Sequence, residues 1–190
     1  MTTPTCRYLV PLGPGSLPGK AARAVVLACL AMLALAAPGR AHVTLDPAPA
    51  RADAYYKAVL RVPHGCSGSP TRRVRVRIPE GVTSVKPQPK PGWTLEVTRT
   101  RLARPLDDGH GGKITEVVGE VSWSGGRLPD DQFDEFAMML KLPDAPGATL
   151  YFPVVQDCEQ GVHRWIELPE AGRAARELKE PAPALLLQPK

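Results

Sequence analysis

The sequence predicts an all-β fold, an immunoglobulin-like antiparallel β-sandwich, and three observations carry that prediction. Apolar and polar residues alternate with period two through most of the chain after residue 42. Helical periodicity is nearly absent over the same stretch. Prolines and glycines, 22 and 17 in the whole chain, fall chiefly between the alternating runs, where turns belong.

Taken in order, the first strand runs over 55–62, where Tyr56, Ala58, Leu60 and Val62 alternate with Tyr55, Lys57 and Arg61. In the second, Val74, Val76 and Ile78 alternate with Arg73, Arg75 and Arg77. Further strands are expected over 93–101, 113–123, 132–142, 150–155 and 163–168. In 132–142 the residues Phe136, Met138, Leu140 and Leu142 share one face, and Glu135, Ala137, Met139 and Lys141 share the other. Turns are expected at Pro79-Glu80-Gly81, Pro89-Lys90-Pro91-Gly92, Ser124-Gly125-Gly126 and Pro143-Asp144-Ala145-Pro146-Gly147. The total is seven or eight strands. Residues 171–178 alone could form a helical turn or two, and Glu180-Pro181-Ala182-Pro183 reads as an extended tail strapped to the surface. There is no internal repeat and no second domain.

Ahead of this domain, residues 1–41 read as a secretory signal. Arg7, Lys20 and Arg23 precede an apolar run over 24–37, Pro38 breaks it, and Gly39-Arg40-Ala41 offers small residues before a cut at the Ala41–His42 bond. The run is short for a membrane span, which needs roughly 20 apolar residues. A lipoprotein cut before Cys29 is a poorer fit, because only residues 24–28 would form its apolar segment. Four of the 24 basic residues and none of the 19 acidic ones precede His42, so the remainder carries 20 against 19 and is close to neutral. The net charge of +5 is therefore no argument for nucleic-acid binding. No later run is long enough to anchor the chain in a membrane. The expected product is a single periplasmic or secreted domain over 42–190.

Two cysteines, Cys66 and Cys158, remain after the cut, and in an oxidising compartment they are most simply a disulfide. The competing reading is a thiolate pair for Cu(I). A bridge would bring the neighbourhoods of His64, two residues before Cys66, and His163, five after Cys158, to one end of the sandwich.

Cleavage at Ala41–His42 would leave a histidine as the first residue. A terminal histidine offers its free α-amine and its imidazole together, and both lose protons cheaply near neutral pH. Bound through the amine and the nearer ring nitrogen they close a small chelate ring, and a nitrogen-rich site of that kind favours Cu(II). His42 is thus the leading candidate ligand, with His64, Glu135 and His163 as further candidates. Each also has a plain alternative: the histidines as surface loop residues, Glu135 as an ordinary charge on the outer face of a strand. Trp165 can cap an exposed site or simply pack in the core. His110, in Asp107-Asp108-Gly109-His110-Gly111-Gly112, reads as a solvated loop residue.

Several segments together resemble the YcnI-like copper-binding family of exported β-sandwich domains. They are Ala41-His42-Val43-Thr44-Leu45, Arg61-Val62-Pro63-His64-Gly65-Cys66, 82–93 with its ending Lys90-Pro91-Gly92-Trp93, Phe133-Asp134-Glu135-Phe136, Phe152-Pro153-Val154-Val155-Gln156 and His163-Arg164-Trp165. The resemblance implies a Cu(II) site on the amino-terminal histidine, completed by a carboxylate and a nearby tryptophan. It also implies a role in copper acquisition or handling beside other periplasmic or membrane copper-transport proteins. His42 carries over directly, and Trp165 is the best match for the tryptophan. The carboxylate does not, because His64-Gly65-Cys66 stands where some relatives have an acid after Val-Pro; Glu135 is its candidate.

Enzyme motifs are missing: the chain has no Gly-x-Ser-x-Gly elbow, no His-Glu-x-x-His, no P-loop and no dinucleotide fingerprint. With what the resemblance and His42 imply, the expected function is a metallochaperone-like copper-binding protein and not an enzyme. A copper enzyme with oxidative chemistry and a structural or adhesive module are the two alternatives.

Overall fold

The computed structural model describes residues 42–108, 111–170 and 177–190. The expected signal, with Ala41 and its cut, lies outside these residues, as do His110 and most of the 171–178 stretch. Strands are numbered in chain order. A four-stranded sheet runs β1 (Thr44–Asp46), β3 (Tyr55–Val62), β8 (Asp134–Lys141) and β5 (Ser84–Pro87). A five-stranded sheet runs β11 (Val162–Trp165), β10 (Val154–Cys158), β4 (Thr71–Arg77), β7 (Lys113–Leu128) and β6 (Thr94–Asp107). Three shorter strands, β2 (Ala50–Arg51), β12 (Ala184–Gln188) and β9 (Thr149–Tyr151), form a third. All pairings are antiparallel except that of β12 with β2.

Alternation places the core as expected. Tyr56, Ala58, Leu60 and Val62 on β3, Val74 and Val76 on β4, and Phe136, Met138 and Leu140 on β8 all face inward and are buried. They meet Trp123 of β7 and Phe152 in one cluster between the sheets. Each large aliphatic side chain so buried contributes about 1.5–3 kcal/mol. The charged partners, Lys57, Arg61 and Arg77 among them, remain exposed.

Four expectations need correction. Ser124-Gly125-Gly126 is not a turn but part of β7, which continues to Leu128. Opposite it, the register of β4 jumps from Arg73↔Ser124 to Thr71↔Leu128, so the glycines form a bulge that bends the strand without ending it. Gly126 also has no room for a side chain: a Cβ there would lie 2.0 Å from the Trp93 ring, which packs edge-on against Phe136. The run over 150–155 is two strands, parted at Phe152-Pro153, and the last run stops at Trp165 because Glu167 pairs instead with Glu180 and Ala182. The tail is not merely strapped on. Its continuation is β12, whose Leu185 and Leu187 are buried. With the four short strands β1, β2, β5 and β12 added, the described residues hold twelve strands. Among the described residues, no helix is long and apolar enough to cross a membrane.

Candidate metal centre

Antiparallel pairing fixes where the histidines emerge. Thr44 of β1 lies opposite Arg61 of β3, so the start of β1 runs beside the end of β3. His42, two residues before β1, and His64, two after β3, therefore leave the four-stranded sheet at the same end. The segment that carries His42 is held down by buried Val43 and Leu45. The Tyr56 hydroxyl adds a hydrogen bond to the Pro47 carbonyl at 2.6 Å. Burial pushes the ionisation of that hydroxyl well up, with the Asp46 carboxylate adding to the effect, so it stays a donor.

The second sheet contributes His163 and Trp165. On β11, His163 pairs with Gln156 and Trp165 with Val154 of β10. The Cys66–Cys158 disulfide, with Cα atoms 6.0 Å apart, ties the His64 loop to the end of β10. That loop is a tight turn in which Cys66 and Ser69 exchange backbone hydrogen bonds. Gly65 is required beside His64, because a Cβ would sit 2.1 Å from the Ser69 carbonyl oxygen.

The result is a connected group of rings. Trp165, buried in the core, has its ring centroid 5.5 Å from that of His42 and 4.9 Å from that of His163, and His163 lies 5.9 Å from His64. Trp165 is thus both core residue and neighbour of two histidines, so the alternatives set out for it are not exclusive. The Nε2 of His42 is buried without a hydrogen-bond partner.

Beneath the rings lies a residue that sequence reasoning missed. Gln156 is fully buried; its amide donates to the His64 carbonyl and to the Thr71 hydroxyl, both at 2.7 Å, and its oxygen accepts from the Trp165 indole at 3.1 Å. Glu180, from the tail, was missed as well. Its carboxylate accepts from His163 Nδ1 at 2.6 Å and from the Arg164 amide at 2.9 Å. Burial alone would raise the Glu180 pKa, but these hydrogen bonds outweigh it and hold the group below its ordinary value.

Glu135 stands apart. It lies on β8, two strands from β1, and its carboxylate pairs with Arg61 at 3.4 Å, which also pairs with Asp46 at 3.1 Å. Among the described residues, no group of three His, Cys, Asp or Glu side chains surrounds a common metal position. A groove of about 960 Å³ lined by Ile78, Val82, Leu102, Leu106 and Val118 borders β6, the edge of the five-stranded sheet opposite β11, and shares no residue with the ring group.

Residues 42–187 match the family model described as Domain of unknown function (DUF1775). The chain belongs to that family. The match begins at His42, whose ring lies against Trp165. The chain is also similar to the copper-binding protein CutI of Bacillus subtilis (strain 168), with 27% identity over 113 residues. That match covers 60% of this chain and 49% of CutI, so about half the curated relative's length is spanned. Among solved structures, it resembles an uncharacterized protein from Nocardia farcinica with an immunoglobulin-like fold. There the identity is 30% and the TM-score 0.58, over 77% of this chain and 98% of that one. The fold class expected from alternation and turns is thereby established.

Proposed function

We propose that this protein is exported, processed at the Ala41–His42 bond, and then binds Cu(II) through the amine and imidazole of His42, serving to hold or pass on copper and not to turn over a substrate. The observation that carries the reading is the placement of His42. Its ring rests against Trp165 with Nε2 buried and unpartnered. That places in the protein the nitrogen the chelate does not need, since the ring nitrogen nearer the α-amine is Nδ1. Cu(II) is the metal suited to such a nitrogen pair. The similarity to CutI, a protein named for copper binding, and the family resemblance of the His42, Trp165 and Lys90–Trp93 segments support the same conclusion. Trp165, fixed by Gln156, is in this reading the wall of the site.

The reading is tested by exporting the full chain from a Gram-negative host, determining the terminus by mass spectrometry, and titrating the product with Cu(II). One equivalent bound by protein that begins at His42 is expected. A different terminus, or no binding by protein that begins at His42, would remove the basis for the assignment.

A further inference from the structure

We propose that the outer face of the five-stranded sheet, along β10, is a docking surface for an extended acidic segment of a protein partner. Arg73, Arg75 and Arg77 occupy alternate positions of β4, and burial of Val74 and Val76 between them turns all three side chains outward. Register brings a fourth. Val155 of β10 pairs with Arg75 on one side and with Arg164 of β11 on the other. Trp165, the next residue, is buried, so Arg164 faces out beside the arginines of β4. The result is a strip two strand spacings wide, about 10 Å, with half-buried Val155 along its middle and arginines on both sides.

These charges are barely answered within the chain. Among the described residues, the guanidinium groups of Arg73, Arg77 and Arg164 form no ion pair. Arg75 forms one, between a terminal nitrogen and Asp157 at 3.2 Å, while its Nε is buried without a hydrogen-bond partner. Glu120 of β7 stands opposite Arg77 in the register but makes no ion pair with it. Four like charges held close together on one face, with a single acid engaged among them, are matched by carboxylates brought from outside.

The choice of arginine identifies the partner. Exposed Lys57 and Lys86 lie on the four-stranded sheet, either side of Met139, and no lysine lies on β4, β10 or β11. An anionic membrane attracts lysine and arginine alike. Arginine is the residue that grips a carboxylate through two parallel hydrogen bonds, and protein interfaces gather it while lysine is depleted. Val162 on β11 and Ile166 just after it are exposed and supply apolar contact at the edge of the strip. The spacing also favours a single extended chain. Alternate residues of β4 repeat about every 6.8 Å, as do alternate carboxylates on an extended segment.

The surface needs no metal, so the exported protein is tested without added copper. Fluorescence anisotropy follows a dye-labelled peptide, Glu-Thr-Glu-Thr-Glu-Thr-Glu, and one of the same composition with its acids in a block, Glu-Glu-Glu-Glu-Thr-Thr-Thr. The alternating peptide should bind more tightly than the block, and its binding should weaken as salt is raised. The variant R73A/R77A/R164A should weaken it by about tenfold or more, and R73K/R77K/R164K, which keeps the charge, by about threefold or more. K57A/K86A should leave it unchanged. All the substituted side chains are exposed, so the core is untouched. No binding of the alternating peptide, equal binding of the two peptides, or undiminished binding by either arginine variant overturns the proposal. So does binding to phosphatidylglycerol vesicles in place of the peptide.

Discussion

Replacing Gln156 by leucine tests whether the group around Trp165 is one connected structure. The side chains are similar in size, so the change removes hydrogen bonds with little change in volume. Three groups lose a partner: the Trp165 indole N–H, the His64 carbonyl and the Thr71 hydroxyl. A buried polar group left unpaired costs about 1–3 kcal/mol. The Thr71 hydroxyl can rotate, so two groups count in full and the loss is about 2–6 kcal/mol. The added leucine returns roughly 1–2 kcal/mol through apolar burial. A net destabilisation of about 2.5 kcal/mol, within a span of about 0–5 kcal/mol, is expected, seen as a fall of roughly 5–10 °C in Tm for a domain of this size. Urea unfolding measures it. Hydrogen exchange at the indole N–H groups gives a local readout: Trp165 should lose protection, while Trp123, which donates to the Gln88 carbonyl, keeps it. A change under 0.5 kcal/mol with Trp165 still protected would refute the idea that Gln156 positions the indole.

Other consequences follow from packing, charge and covalent links. Gly126→Ala drives a methyl group into the Trp93 ring, a Cβ contact of 2.0 Å, and should cost about 1–3 kcal/mol or more; an unchanged melting temperature would contradict the packing. Hydrogen bonds from Lys141 and Lys190 hold the Asp53 carboxyl down to about 2, against about 3.9 in an unfolded chain. Its contribution is therefore present above about pH 4 and fades as pH falls toward 2, so D53N should flatten stability across that window. An acid limb identical in D53N would show the pair to be silent. Cutting the Cys66–Cys158 bridge, 92 residues apart, should lower stability by about 4–5 kcal/mol on the chain-entropy model. Denaturation of the double serine variant checks that value, and a loss under 1 kcal/mol would show the unfolded chain already constrained.

Period-two alternation found the main strands because each has one buried and one solvated face: Tyr56 to Val62 and Phe136 to Leu142 are buried as read. It missed β12, since Ala184-Leu185-Leu186-Leu187 is apolar at every position and hides its own alternation. It misjudged Ser124-Gly125-Gly126 because a glycine pair looks alike in a turn and in a bulge; only the position of Trp93 distinguishes them. Within the site, His42, His64, His163 and Trp165 could be singled out by residue type, and the expected disulfide was enough to place the neighbourhoods of His64 and His163 at one end of the sandwich. Gln156 had a readable trace, a polar residue on the same strand face as Val154. Glu180 had none, since its pairing with His163 spans 17 residues and depends on where the tail docks.

The most direct measurement compares Cu(II) binding, by electron paramagnetic resonance and titration, in two otherwise identical proteins, one beginning at His42 and one keeping Ala41 before it. The account predicts one equivalent with nitrogen hyperfine structure in the first and loss of that signal in the second. Equal Cu(II) affinity and identical spectra from the two would contradict it.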